Sequence, residues 1–213
     1  MAKILVLAEH RQGQMRDITF EMLTKGRELA GKTGAELVAV LLGKGLREHA
    51  KSLAEYARTV LLVEDIRLEN FNSEAYRKIL SKLISEHKPV LVLMGHTSYG
   101  VDLAPRLATA MNLPLATDCI DLTFENGMLA VTRQMYGGKV NVKASARKAE
   151  TYIATVRQAT FAPQKPTPPE NGQITEVPSL LTEVSTGSER PISYSPDRSS
   201  LILFDRLVIS PML

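Results

Sequence analysis

One stretch near the middle of the chain constrains the fold more than any other, because an unbroken apolar run ends there in a polar segment bounded by glycines. Residues 90–94 are all apolar, which is typical of a strand covered on both faces. Gly95 and Gly100 bracket the polar segment and predict a turn with backbone angles that other residues avoid. Asp102 as the N-cap and Pro105 at an early position then fit the start of a helix. The stretch therefore predicts a strand–turn–helix unit of a parallel α/β sheet.

The chain before this unit repeats the same alternation. Three further apolar runs predict strands at residues 3–8, 35–42 and 59–64. Each is followed by a segment in which apolar residues recur at helical spacing, at residues 17–32, 46–56 and 73–88. The order β-α-β-α-β-α-β-α predicts a three-layer, doubly wound, mainly parallel sheet with right-handed crossovers.

The pattern changes after Pro114. Short segments of β type are separated by turn residues, and Asn126-Gly127 is a strong hairpin signal. We expect antiparallel additions at one edge of the sheet, with the last of these segments returning to pair beside it. The segments lie at residues 117–124, 128–135, 139–144 and 151–156.

The composition changes again beyond residue 162. Eight of the eleven prolines lie between Pro163 and Pro211, and residues 163–169 predict a linker. Residues 174–184 have weak strand character, and the apolar run at 201–210 predicts the start of a strand. We therefore expect one α/β domain at residues 1–162, followed by a proline-rich linker and an incomplete second domain at residues 163–213.

Composition excludes several classes of function. The formal net charge of +3 is too small to indicate nucleic-acid binding. The single cysteine, Cys119, rules out an internal disulfide framework, and its apolar context predicts an inert buried thiol in a reducing compartment. No apolar run is long enough for a signal peptide or a membrane span. These features predict a cytoplasmic protein, or one of the mitochondrial matrix in a eukaryote.

The polar segment after residue 94 is the first candidate site. Gly95, His96, Thr97 and Ser98 could offer backbone N–H groups and two hydroxyls to a nucleotide phosphate. Glu9 follows the first predicted strand at the same edge of the sheet, where it could contact a base or a ribose. The alternative is a tight turn that lets a helix pack closely, since no P-loop sequence follows.

A second polar cluster surrounds another pair of glycines. Arg133, Tyr136 and Lys139 could reach an anionic ligand or form a ridge that binds a partner. The alternative is an ordinary hairpin turn. No spacing of His, Cys, Asp and Glu indicates a metal site, and no catalytic triad pattern is present in the sequence.

Several of these motifs together resemble the N-terminal domain of the electron transfer flavoprotein alpha subunit. The likeness covers about residues 1–162, and residues 188–191 and 205–210 resemble the lead-in to the family's second domain. The most specific block is Asp-Leu-Ala-Pro-Arg-Leu-Ala at residues 102–108, followed by Pro-Leu-Ala-Thr-Asp. The remaining motifs lie at residues 3–9, 95–101, 133–139, 155–157 and 161.

The resemblance implies an adenine-nucleotide-hydrolase-like α/β fold and a heterodimer with a beta subunit. It also implies that electrons pass from dehydrogenases to an acceptor flavoprotein. In this family, FAD is held mainly by the second domain of the alpha subunit, and AMP, where present, lies in the beta subunit. The Gly- and Ser-rich FAD motifs of that second domain are missing from this sequence, so no FAD-binding residue can be assigned. We expect this chain to supply the assembly domain, as a truncated alpha subunit or as a partner-binding remnant, and to bind no flavin alone.

Two other functions stay open at this point. The first is a free-standing adenine-nucleotide-binding module of universal-stress type, which would use Glu9, His96 and Ser98 but lacks the expected Gly-rich phosphate loop. The second is an adenylating or amidohydrolase-like enzyme on the same fold. The sequence shows neither a nucleophile nor a pyrophosphate motif for that chemistry.

Overall fold

The computed structural model describes residues 1–179, 181 and 204–211, the last stretch by its backbone alone. Its helices are α1 (Asp17–Thr33), α2 (Arg47–Ala54), α3 (Ser73–His87) and α4 (Ser98–Met111), with a short 3-10 helix at Ile66–Leu68. Its strands are β1 (Lys3–Leu7), β2 (His10–Arg11), β3 (Gln14–Met15), β4 (Glu36–Gly43), β5 (Thr59–Glu64), β6 (Leu91–Gly95), β7 (Leu115–Glu125), β8 (Met128–Met135), β9 (Val140–Ala146), β10 (Tyr152–Val156), β11 (Gln173–Glu176) and β12 (Phe204–Pro211).

Ten of these strands form one sheet in the order β11-β5-β4-β1-β6-β10-β7-β8-β9-β12. Neighbours from β11 to β7 are parallel, whereas β7, β8, β9 and β12 pair antiparallel. The structure therefore confirms the doubly wound, mainly parallel α/β sheet with antiparallel additions at one edge. Strand β10 lies between β6 and β7 and pairs with both, and all five of its residues are buried, as expected for an interior strand with helices over both faces of the sheet.

The core lies in two layers, one on each face of the sheet. Side chains alternate along β1, so that Ile4 and Val6 pack on the α1 and α2 side while Leu5 and Leu7 pack on the α3 and α4 side. Each layer joins apolar stripes of two helices to the sheet, as the helical spacing predicted. None of the helices in the part of the chain that the structure describes has the length and apolarity needed to cross a membrane.

The start of α4 differs from the sequence prediction. Thr97 is the N-cap and the helix begins at Ser98, so the predicted turn ends before Gly100 and Asp102 is not the cap. Pro105 consequently lies in the middle of the helix. Its ring removes one N–H, and the carbonyl that would have accepted it belongs to the exposed Val101. Helix α3 begins at Ser73 as predicted, and the side chain of Asn72 caps it.

Residues after 162 pack against the preceding α/β part of the chain before they join the sheet. The carbonyl of Gln164 accepts a 2.7 Å hydrogen bond from Arg27 of α1, and Lys165 forms an ion pair of 2.5 Å with Glu55. Strand β11 then extends the sheet beside β5, and Leu181 is buried in the α3 layer. The division into domains at residue 162 stays a prediction. The motif at 188–191 and residues 201–203 of the predicted final strand lie outside the described residues.

Candidate functional site

The carboxyl edge of the sheet has one point where the strand order reverses direction. The chain fills the sheet from β1 towards β5 and later from β6 towards β7, so the reversal lies between β1 and β6. Open α/β sheets bind ligands in the crevice at such a point. Glu9 follows β1 and Thr97 follows β6, so the fold brings these two predicted site residues together.

Thr97 and Glu9 form the centre of this crevice. The Thr97 hydroxyl donates a 2.7 Å hydrogen bond to Glu9 Oε2 and accepts the N–H groups of Tyr99 (3.1 Å) and Gly100 (3.4 Å). A hydroxyl can donate one hydrogen bond and accept two, so these three partners use the full hydrogen-bonding capacity of the Thr97 hydroxyl. Phosphate binding by Thr97 stays a prediction, and it would require the hydroxyl to leave at least one of these partners.

Burial dominates the electrostatics of Glu9. The side chain is 6% exposed, and this desolvation raises the pKa of the Glu9 carboxyl. The Thr97 hydrogen bond and the Arg16 guanidinium, 3.4 Å from Glu9 Oε1, act in the opposite direction and lower it. Glu9 is therefore a buried carboxyl held by the chain itself.

The other three residues of the predicted phosphate turn lie in different settings. Gly95 ends β6, and the N–H of His96 donates a 2.6 Å hydrogen bond to the carbonyl of Val156 in β10. Ser98 is the exposed first residue of α4. A Cβ placed on Gly100 would lie 1.9 Å from the Gly95 carbonyl oxygen, so the helix start abuts the strand end. This close approach supports the alternative interpretation of the segment as a packing turn.

Aromatic side chains close the crevice from outside. The rings of Phe71 and Tyr99 stack at 4.0 Å with an angle of 7°, and Tyr76 meets Phe71 edge-on at 5.0 Å. The cavity left between these rings and Glu9 measures about 10 Å³, close to the smallest volume that admits one water molecule. Phe71 and Tyr99 were not predicted as site residues, because Phe71 lies in a loop and Tyr99 lay inside the expected turn.

Two open clefts lie beside the closed crevice. Their volumes are about 300 and 390 Å³, and both are lined by His10, Gln12, Glu69 and Asn70. His10 Nε2 lies 2.8 Å from the Leu42 carbonyl oxygen, which fixes the ring against β4. These clefts are polar and reach the lower limit of volumes typical of small-molecule sites.

A group of polar side chains around Asp118 lies near the start of β7 and beside the carboxyl ends of β6 and β10. The Arg157 guanidinium donates two hydrogen bonds to the Asp118 carboxylate, from Nε to Oδ1 at 2.8 Å and from Nη2 to Oδ2 at 2.6 Å. The Arg157 hydrogen bond is the main reason why the pKa of the Asp118 carboxyl is lowered. His96 joins the cluster through Nδ1, 2.9 Å from Thr155 Oγ1, and that oxygen also accepts the N–H of Asp118.

The predicted partner ridge lies on the β8–β9 hairpin. Arg133 is a half-buried residue of β8 whose charge also lowers the pKa of Asp118. Tyr136 and Lys139 lie in the loop between the strands, where both are exposed and the Lys139 N–H donates to the Tyr136 carbonyl at 3.4 Å. The fold therefore brings Tyr136 and Lys139 together, while Arg133 points to the Asp118 cluster. Their role in partner binding stays a prediction.

The residues that the structure describes provide neither a cluster of metal ligands nor a reactive thiol. Within the described stretches, no group of three or more His, Cys, Asp or Glu side chains is placed to hold a metal ion. Cys119 is buried, and desolvation raises its pKa to about 12, so the thiol stays protonated. This confirms the expectation of an inert buried cysteine.

These features define a doubly wound α/β protein of nucleotide-binding type whose switch-point crevice is filled by its own side chains. Comparison with known families is more specific. Residues 4–180 match the electron transfer flavoprotein domain, and the chain belongs to that family. The resemblance to the N-terminal domain of alpha subunits is thereby confirmed.

Three individual relatives show the extent of the similarity. The chain is 37% identical over 161 residues to Protein FixB of Clostridium saccharobutylicum, covering 74% of this chain and 48% of that protein. It is 30% identical over 196 residues to the electron transfer flavoprotein subunit alpha of Bacillus subtilis (strain 168), covering 92% and 59%. It is 34% identical over 165 residues to the lactate dehydrogenase (NAD(+),ferredoxin) subunit LctC of Acetobacterium woodii, covering 76% and 40%. The chain spans about half the length of these relatives.

The family suggests that a flavin takes part in the function. A dinucleotide would be expected in the crevice between β1 and β6. The cavity of about 10 Å³, the engaged Thr97 hydroxyl and the Phe71–Tyr99 stack do not fit such a ligand. Among the residues that the structure describes, the switch point is therefore not a flavin site.

Proposed function

We propose that this chain is an alpha-type subunit of an electron transfer flavoprotein. It assembles with a beta subunit into a heterodimer that passes electrons from dehydrogenases to an acceptor flavoprotein, and it supplies the assembly domain. The observation that carries the proposal is the family match over residues 4–180, together with relatives that are themselves electron transfer flavoprotein alpha subunits.

The geometry of the switch point supports assembly as the role of this domain. A crevice filled by Glu9, Thr97 and Tyr99 gains stability from its own contacts instead of from a nucleotide. We accordingly assign FAD to residues other than those lining this crevice, and AMP to the beta subunit. A single cysteine, buried and protonated, is compatible with a reducing compartment, so we place the complex in the cytoplasm, or in the mitochondrial matrix in a eukaryote.

One observation favours a second candidate, a free-standing nucleotide-binding module. The two open clefts beside His10 lie at the carboxyl edge, where this class of fold binds ligands, and Ser98 is exposed at the start of α4. An adenine nucleotide bound there would not need the closed crevice to open.

Co-purification with a beta subunit from the same genome tests the leading proposal. We expect the two chains to elute together in a one-to-one complex on size exclusion, and the lone chain to show no flavin absorption. Failure of the two chains to associate at micromolar concentration would contradict the proposal. So would a lone chain that carries stoichiometric flavin.

Titration of the lone chain with AMP and ATP by calorimetry tests the second candidate. The leading proposal predicts no heat of binding. If a nucleotide does bind, Ser98→Ala should weaken it while Ser85→Ala, an exposed serine inside α3, should not.

A further inference from the structure

The segment that contains the β8–β9 hairpin carries basic residues and no acidic ones. Five of the 26 Lys and Arg residues and none of the 23 Asp and Glu residues lie between residues 126 and 149. This segment therefore carries a charge of +5, whereas the rest of the chain has a net charge of −2. The five are Arg133, Lys139, Lys143, Arg147 and Lys148.

Among the side chains that the structure describes, one of these five cations is neutralised by an ion pair. Lys143 forms an ion pair of 2.6 Å with Glu125 of β7. Within the described stretches, the other four cations form no ion pair. Lys139, Arg147 and Lys148 are exposed, so the β8–β9 hairpin presents positive charge to solvent at both of its ends.

The loop of this hairpin also exposes apolar surface. Met135 is 41% exposed and Tyr136 is 75% exposed, and they are two of the five large apolar side chains that stand out most from the described surface. The Tyr136 ring stacks on no other aromatic ring in that part of the chain. Tyrosine and methionine are among the residues enriched at protein interfaces.

The backbone conformation at Tyr136 is unfavourable for tyrosine, which indicates that this residue does not serve to stabilise the fold. Its φ is +52°, and Gly137 and Gly138 follow at +66° and +88°. A left-handed conformation is unfavourable for a residue with a Cβ, and a bulky aromatic side chain seldom adopts it. Tyr136 bears this cost without burying its ring in the chain itself, whereas glycine would fit the loop without strain.

The outer edge of β9 is not free to accept another strand. β12 pairs antiparallel along β9, from Ala146 to Val140. A partner therefore meets the hairpin through the loop and its side chains and not by strand addition.

We propose that the β8–β9 hairpin docks an acidic face of the beta subunit, with Tyr136 as the apolar anchor and Lys139 as the adjacent charge. The assignment rests on the proposed function, because it needs a beta subunit as the occupant. Charge complementarity defines the chemistry of that face: carboxylates around a small apolar depression that receives the Tyr136 ring. A nucleic acid is a poorer occupant, because the remainder of the chain carries net negative charge and Met135 offers nothing to a phosphate backbone.

Tyr136→Gly separates docking from folding, since the two readouts move in opposite directions. The variant relieves the left-handed strain, so its melting temperature should equal or exceed that of the wild type. Its affinity for the beta subunit should fall at least about tenfold, because the anchor is lost. Asn126→Gly is the matched control. Asn126 has the same φ of +52° in the β7–β8 turn, so this variant places glycine at the same backbone conformation away from the docking loop and should leave the affinity unchanged.

Lys139→Glu tests the charge in the same binding assay. Affinity should fall several-fold and its dependence on salt should weaken, because one attractive pair is replaced by repulsion. Arg58→Glu, at an exposed cation before β5, changes the net charge equally and should have no effect. Binding is measured by biolayer interferometry with the purified beta subunit and, separately, with a single-stranded oligonucleotide.

The outcomes discriminate between the docking surface and the function. A complex that forms with unchanged affinity in Tyr136→Gly and Lys139→Glu overturns the docking surface and leaves the proposed function standing. Equal losses in the two control variants overturn it as well. A wild-type chain that binds no beta subunit overturns both. Tighter binding to the oligonucleotide than to the beta subunit assigns the hairpin to nucleic acid instead.

Discussion

The Thr97 hydroxyl donates a 2.7 Å hydrogen bond to the Glu9 carboxylate and so joins the ends of two neighbouring parallel strands across the switch point of the sheet. The same hydroxyl caps α4 by accepting two of its first N–H groups. One side chain thus closes the crevice and begins the helix. Open α/β sheets bind ligands at this point, whereas in this chain the Thr97–Glu9 contact joins two strands and a helix there; this contact is called the Thr97–Glu9 junction.

Replacing Thr97 with valine should lower the free energy of unfolding by about 2 kcal/mol. The variant keeps the shape of the side chain but loses the helix cap and leaves one oxygen of a buried carboxyl without its donor. Thr97→Ser retains the hydroxyl and should cost less than half as much. Urea denaturation followed by circular dichroism measures both changes. A valine variant as stable as the serine variant would show that the hydroxyl does not hold the junction together.

Glu9 should make stability depend on pH in a specific direction. Burial raises its pKa in the folded state above the ordinary value of 4.5, so the folded chain binds the proton more tightly than the unfolded chain does. The contribution of Glu9 to stability is therefore complete below pH 4.5 and is lost as the pH rises through the raised pKa.

Comparison with Glu9→Gln isolates this effect. The glutamine side chain does not titrate, so the stability of the variant relative to wild type should increase as the pH rises from about 4 to about 8. Denaturant midpoints of both proteins at each pH provide the measurement. A difference that is constant across this range, or one that runs in favour of wild type at high pH, would contradict the burial effect.

Local pattern was sufficient for the parallel half of the fold. Strand β5 was predicted at its observed bounds. Unbroken apolar runs predicted the other parallel strands before α4, including β6, and helical spacing predicted the helices between them. The position of β10 inside the sheet could not be predicted in this way. Its place depends on residues 152–156 pairing with β6 and β7, which come from other parts of the sequence.

The candidate site was predictable only where it depends on neighbours in the chain. Gly95 and Thr97 were found because they follow a strand, and Glu9 was found because it follows another at the same edge. The filling of the crevice was missed, since it depends on the Phe71 ring from the loop before α3 stacking on Tyr99 in the first turn of α4. Periodicity carries no information about which side chains from distant segments meet at a sheet edge.

Asp118 combines an unusual backbone with an ion pair, and two substitutions separate these contributions. Its φ is +57°, a conformation that asparagine tolerates better than alanine. Asp118→Asn removes the charge but keeps the backbone preference, so Asp118→Ala should be less stable than Asp118→Asn by about 1 kcal/mol. Thermal unfolding at neutral pH measures the difference. Equal stability of the two variants would indicate that the backbone at this position does not depend on a residue that tolerates the left-handed conformation.

The ion pair itself should appear as an acid-sensitive part of stability. Arg157 lowers the pKa of Asp118 in the folded state below its ordinary 3.8, so this contribution is present above pH 3.8 and is lost as the pH falls through the lowered pKa. The stability advantage of wild type over Asp118→Asn should therefore shrink in acid. Because both side chains are partly exposed, the advantage should also shrink in high salt. An advantage that grows on acidification would contradict this assignment.

Gly100 and Gly31 are both helical glycines, yet alanine should act on them with opposite sign. A Cβ at Gly100 would lie 1.9 Å from the Gly95 carbonyl oxygen, and since this oxygen belongs to the backbone, α4 must move away from β6. We expect Gly100→Ala to lower the free energy of unfolding by about 2 kcal/mol or more and to loosen the Thr97–Glu9 junction. A Cβ at Gly31 meets nothing within 4 Å, so Gly31→Ala should stabilise α1 by about 0.5 kcal/mol through helix propensity. Denaturant unfolding of both variants beside wild type tests the pair, and a neutral Gly100→Ala would mean that α4 does not need to approach the strand so closely.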